Sequence, residues 1–223
     1  MSSALPVPGD SSPTVDDAAP VRAPRRARGQ LRVEALLAAA AEVFAGKGFD
    51  AATMTEIAAQ SESSIGSLYQ FFRTKEAVAE ALVQTQIDAL WQRFDALADR
   101  AAALSTPELG RLLARFFVDF RSAHPSFATL VEMPGPPLQV VASVRRDVRV
   151  RVEDVLVRHA PGVDRKALHA MAPVVQHSMK IAIQLRSDLD GAERTAAMRE
   201  LDAMLAGYLV ARLGAAATTA DAA

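Results

Sequence analysis

From Leu31 to Leu213 apolar residues return every three or four positions, interrupted only by short breaks. That period suits a helix burying one face, so the chain reads as all-α. Leu31, Leu36 or Leu37, Ala40, Val43 and Phe44 make the first stripe, read as one buried face. Gly48 predicts a left-handed stop, with Phe49 folded back on the last turn. Thr53-Met54-Thr55-Glu56 is a capping box, in which hydroxyl and carboxylate satisfy reciprocal orphan amides. A short helix to Gln60, a tight connection and a second short helix from about Ser64 to Phe71 follow. Thr74 then caps a long helix carrying Ala81, Leu82, Ile87, Leu90, Trp91 and Phe94, with Glu76 at its positive end. Two short, closely joined helices behind a longer one have helix-turn-helix proportions.

The second half predicts a larger helical body. Thr106-Pro107-Glu108 reads as an N-cap followed by proline at the first helical position. Leu109, Leu112, Leu113, Phe116, Phe117 and Phe120 form a broad stripe behind it. Val148-Arg149-Val150-Arg151-Val152 alternates like a strand, but Val141, Val144, Val148, Val152 and Val155 keep helical spacing through it. Met133-Pro134-Gly135-Pro136-Pro137 and Ala160-Pro161-Gly162 are breaks. Two final helices run roughly from Asp164 to Arg186 and from Gly191 to Leu213, and Pro173 should kink or divide the first.

Composition removes several functions. The 25 basic and 26 acidic residues leave a net charge of −1, so affinity for nucleic acid must come from a local patch. Without cysteine there is no disulfide framework, thiolate nucleophile or Cys-ligated zinc. His124, His159, His169 and His177 contain no i,i+4 pair to ligate a metal. Gly46-Lys47-Gly48 lacks phosphate-loop spacing, and no serine sits on a strand-borne elbow. The reading is therefore not an enzyme, with no cofactor and no metal. Charges interrupt every apolar stretch before a membrane span is reached, and residues 1–20 have neither the basic start nor the apolar run of a signal peptide. A soluble, cytoplasmic protein is expected. Pro6, Pro8, Pro13 and Pro20 lie among Ser and Asp in a segment expected to be disordered. Arg22, Arg25, Arg26, Arg28 and Arg32 then form a basic run without an acid.

Between Thr53 and Glu76 the sequence TMTEIAAQSESSIGSLYQFFRTKE resembles the DNA-binding signature of the tetracycline-repressor (TetR) family of bacterial transcription regulators. The resemblance is carried by Thr55, Ile57 and Ala58, by Ser64, Gly66, Ser67, Leu68, Tyr69 and Phe72, and by Lys75-Glu76; Phe44, Gly48 and Phe49 also fit. One departure is the turn, Glu62-Ser63-Ser64, where the family usually has Gly-Val-Ser. A glutamate at a left-handed position carries a modest backbone cost, and its charge opposes a nearby phosphate. The resemblance implies a three-helix DNA-binding domain at 29–74 and a six-helix effector-binding and dimerisation domain at 75–214. They lie between an arm at 1–28, basic from 22, and a flexible tail at 215–223.

It also implies roles. Tyr69, Lys75 and Thr55 would bind phosphates, while Ile65, Ser67 and Gln70 would face base edges, Gln70 being able to pair bidentately with adenine. Small residues at Ser64, Gly66 and Ser67 let the recognition helix approach the groove, and its amino terminus favours phosphate. Arg25, Arg26 and Arg28 would contact phosphate or the minor groove. Leu68 and Phe72 are core, and Arg145, Arg146, Arg149 and Arg151 are a solvated face. By the same resemblance the last two helices pair as a four-helix bundle in a homodimer that binds a palindromic operator on double-stranded DNA. A small-molecule effector, more apolar or aromatic than charged, would release it from a cavity near Trp91, Phe116, Phe120, His124, Phe127, Met133, Met171, His177 and Met179. An effector-independent structural DNA-binding protein and a helical enzyme remain the competing classes.

Overall fold

The capping signals read from the sequence govern the helix ends. The computed structural model describes residues 25–131 and 137–220, with side chains from 27 to 131 and from 143 to 214. Helix α1 (Arg25–Ala51) contains Gly48 at φ 80°, ψ 170°, a break that lets the Phe49 ring return to within 5.6 Å of Phe44. Thr53 caps α2 (Met54–Gln60), whose Glu56 carboxylate accepts from the Thr53 amide and hydroxyl. Lys47 also donates to that carboxylate, and these bonds hold the Glu56 carboxyl below the usual range. Ser64 caps α3 (Ile65–Phe71) and Thr74 caps α4 (Lys75–Arg100).

A 3₁₀ turn (Ala101–Ala103) leads to α5 (Thr106–Ala123) and α6 (Pro125–Val131), and then α7 (Pro137–His159), α8 (Arg165–Asp188) and α9 (Gly191–Ala220) complete the element order. All the regular structure among the described residues is helical.

Two cores share one helix. Leu36, Phe44, Ile57, Leu68 and Phe72 pack against Val78, Leu82, Val83 and Ile87 from the first half of α4. Fully burying a side chain such as Phe44 contributes about 1.5–3 kcal/mol. The second half of α4 supplies Leu90, Phe94, Leu97 and Ala98 to a larger core with α5, α7, α8 and α9. Trp91, Phe127 and Val144 touch both. In the larger core α5 lies so close to α9 that a Cβ on Gly110 would stand 2.5 Å from the Ala206 Cα. The buried Asp202 carboxylate accepts three bonds from the Arg115 guanidinium across the same interface, from Nε at 3.3 and 2.9 Å and from Nη2 at 2.5 Å.

Four boundaries differ from the sequence reading. Ser105, not Thr106, caps α5, because Glu108 accepts from the Ser105 amide and hydroxyl. Thr106 is thereby free to bond His159 Nε2 at 2.9 Å, while His159 Nδ1 donates to the Ala101 carbonyl at 2.8 Å. α8 runs on through Pro173. α9 extends to Ala220, six residues into the expected tail, since its alanines are strong helix formers. At the other end α1 begins at Arg25, which puts Arg25, Arg26 and Arg28 on a helix although the disordered arm was expected to run to 28, and Leu31, expected in the first buried stripe, is exposed on it. Residues 1–24, including Arg22, lie outside the described residues, as do Met133 and most of the break around it.

Candidate nucleic-acid interface and effector cavity

The turn between α2 and α3 is held by local bonds. Glu62 adopts φ 52°, the left-handed conformation anticipated from its place in the motif. The Glu62 and Ser63 amides donate to the Ala59 and Ala58 carbonyls at 3.1 and 2.9 Å. Ser64 Oγ accepts from the Ser67 amide, fixing the start of α3.

From this turn α3 divides its residues sharply. Leu68 is wholly buried and Phe72 nearly so, both in the first core. The opposite face exposes Ile65, Gly66, Tyr69 and Gln70, with Tyr69 half exposed, and the cap residue Ser64 is exposed beside them. Thr55 is exposed at the start of α2 and Arg28 on the first turn of α1; the Arg25 and Arg26 side chains lie outside the described ones. One residue is brought here that the motif reading did not assign. Arg32 reaches from α1 and its Nη1 donates to Ser67 Oγ at 3.0 Å. Its membership of the basic run was the available signal, but a contact across 35 residues has no local signature.

Lys75, expected to bind phosphate, is engaged within the protein. Its Nζ donates to the Phe49, Asp50 and Ala52 carbonyls at 2.7, 3.0 and 2.9 Å, and it sits 4.4 Å from the centre of the Phe49 ring. An ammonium has three donors, and all three are used to tie the end of α1 to the start of α4. In this structure Lys75 acts as a clamp between α1 and α4.

A second site lies between α4, α5, α6, α7 and α8: a cavity of about 310 Å³. Val83, Ile87 and Leu90 of α4 form one wall. Phe117, Phe120 and Arg121 come from α5, and Phe127, Ala128 and Val131 from α6. Val144, Arg145 and Val148 of α7 face Gln176, Lys180, Ile183 and Gln184 of α8.

Of the sequence candidates, Phe120 and Phe127 line it, their rings 5.3 Å apart in an edge-on pair. The others do not. Phe116 turns into the core and stacks on Phe94 at 4.1 Å, and Met171 is buried among core residues, as is Met179. Trp91 lies under the Arg151 guanidinium, 4.7 Å from its carbon, and Arg151 also pairs with Asp95. His124 packs on Phe120 at 4.5 Å on the far side, in a groove beside α1. Burial and the Arg93 charge hold its pKa below the ordinary histidine value. His177 is exposed on α8 and bonds the Pro173 carbonyl. Arg145, read as part of a solvated face, is exposed and also borders the cavity.

Similarity to known proteins agrees with this layout. Residues 36–82 match the family model described as bacterial regulatory proteins, tetR family, and residues 105–209 match that of the tetracyclin repressor-like C-terminal domain. The HTH-type transcriptional repressor KstR2 of Mycolicibacterium smegmatis is 32% identical over 100 residues, which is 45% of this chain and 47% of that protein. The chain thus matches about half the length of that curated relative. Among solved structures, a TetR-like transcriptional regulator from Rhodococcus sp. RHA1 has a TM-score of 0.56 at 22% identity, covering 85% of this chain and 99% of that one. A transcriptional regulator from Cytophaga hutchinsonii has a TM-score of 0.58 at 19% identity, covering 81% and 98%. Among the described residues, no helix is long and apolar enough to cross a membrane.

Proposed function

As the chain belongs to the tetR family of bacterial regulatory proteins, we propose that it is a homodimeric repressor, binding a palindromic operator and released when a small molecule occupies the cavity. The exposed face of α3 enters the major groove, with Ile65, Ser67 and Gln70 toward base edges and Tyr69 and Thr55 toward phosphates. Arg28 and Arg32 add positive charge beside it, Arg32 being held over α3 by Ser67. Repression is supported by the name of the Mycolicibacterium relative.

One observation carries the regulatory part. Val83 and Ile87 of α4 belong to the core that supports α3 and also to the wall of the cavity. A ligand pressing on that wall pushes on the helix that carries the reading head. It needs to favour one spacing of the two heads by a few kcal/mol to change occupancy. A DNA-binding protein without an effector would have no use for this cavity.

The dimer is supported by apolar side chains left uncovered on the last two helices: Val174 and Ile181 on α8, Met204 and Val210 on α9. Pairing them with a second copy would form the four-helix bundle and set two α3 helices about one DNA turn apart. A double substitution, Ile181→Glu with Met204→Glu, should convert the dimer to monomer by light scattering; a monomeric parent would refute the pairing. The decisive test of function is selection of bound sites from random duplex DNA at near-physiological salt. A palindromic consensus supports the proposal, whereas no enrichment, with ligand-free protein, sinks it.

A further inference from the structure

We propose that the cavity takes an amphipathic anion, with an apolar body between α4, α5, α6 and α7 and a single carboxylate or phosphate group held by Lys180 and Arg145. The inference rests on the reading of the cavity as the effector site. About ten water volumes fit within 310 Å³, and walls such as Ile87, Phe120, Phe127 and Val148 offer no polar partner.

The charged part of the lining is one-sided. Arg121, Arg145 and Lys180 contribute to it, and no aspartate or glutamate does among the described residues. Some cations that reach between helices are matched with acids: Arg115 with Asp202, Arg151 with Asp95, Arg158 with Asp99. Lys180 is not. It is partly buried and has no hydrogen bond or ion pair among the described residues. Burial first, and the charge of Arg145 second, hold its pKa below the ordinary lysine value. Two neighbouring cations at a partly desolvated site cost free energy that an anion between them would offset. The two helices that carry the pair are tied together, because Gln176 Nε2 donates to the Arg145 backbone carbonyl at 2.7 Å. An oxyanion there would accept from the ammonium and the guanidinium together, while its chain runs into the apolar space.

The test is calorimetric titration of the full chain with four probes of one length: decanoate, decyl phosphate, decan-1-ol and decylamine. At least one anion should bind about tenfold or more tighter than decan-1-ol, the scale of a charge-assisted hydrogen bond, and decylamine weakest of all. Whichever anion binds tighter identifies the head group as carboxylate or phosphate. Lys180→Met should remove the preference for the anion while leaving decan-1-ol affinity within about twofold, and Lys180→Arg should keep it. Equal affinity of the parent protein for the anions and the alcohol, or tightest binding of the amine, overturns the anionic head group but leaves the cavity a ligand site. Binding of none of the four overturns the effector reading as well.

Discussion

Replacing Lys75 by methionine removes an ammonium and keeps the apolar stem, which separates the two roles open to this residue. In the structure the lost group is a clamp with three carbonyl acceptors. A hydrogen bond to a charged group contributes about 1.5–3 kcal/mol when water is excluded. Here the Asp50 carbonyl bond is exposed and those to Phe49 and Ala52 only partly buried, so water recovers much of each. About 2 kcal/mol in total is the expected loss, since bonds sharing one donor group do not add. At about 2–4 °C per kcal/mol for a chain of this size, Tm should fall by about 4–8 °C. The second reading is the salt dependence of binding to a non-specific duplex, followed by fluorescence anisotropy. Each lost phosphate contact lowers the slope of log K against log salt by about 0.9. For Lys75→Met the slope should not change. A Tm within about 1 °C of the parent, together with a slope lower by about 0.9 per subunit, would falsify the clamp and restore the phosphate contact.

Tyr69→Ala should reduce the salt slope and weaken binding to all sequences, whereas Gln70→Ala should relax base preference at one position of a selected site; an unchanged consensus refutes the Gln70 assignment. Gly110→Ala should cost about 1–2 kcal/mol in chemical unfolding, overpacking against Ala206 outweighing the gain in helix propensity. Gly46→Ala, facing open space, should instead be neutral or stabilising by up to about 1 kcal/mol; similar outcomes at both positions would show that the approach of α5 to α9 is not tight. His124 has a pKa lowered on folding, so the unfolded chain binds its proton more readily and stability falls as pH drops below the unfolded value of about 6.5. His124→Gln should flatten the stability profile between about pH 7 and 5; an unchanged profile would mean that the ring is hydrated in the fold.

What the sequence made legible was local. The Thr53–Glu56 box, the left-handed Gly48 and the unfavourable Glu62 turn each involve residues within a few positions, whose backbone demands are written in residue type. The α-helical reading of Val148–Val152 held because its neighbours kept the period on both sides. Tertiary reach was not legible. Lys75 clamps carbonyls 23 to 26 residues upstream, and Arg32 meets Ser67 across 35. The cavity failed for a related reason. Phe116 and Met171 are on the expected helices, but periodicity gives the buried face of a helix and not which neighbour that face meets. Gln176, Lys180 and Gln184 of α8 line the cavity from beside the apolar stripe.

The shared helix α4 also decides where this protein can be cut. The boundary between reader and effector body suggested by the motif falls at Thr74, yet Val78, Leu82, Val83 and Ile87 complete the core beneath α3. A hybrid regulator joined at Thr74 would offer foreign side chains to Phe44 and Leu68 and start with a mismatched interior. Along α4 the transplantable unit ends about four turns later, near Ile87 and Asp88, where one core gives way to the next. A graft made there keeps the α4 part of its footing, and only Leu130 and Phe127 of α6, with Trp91 and Val144, remain to be matched to the foreign sensing body.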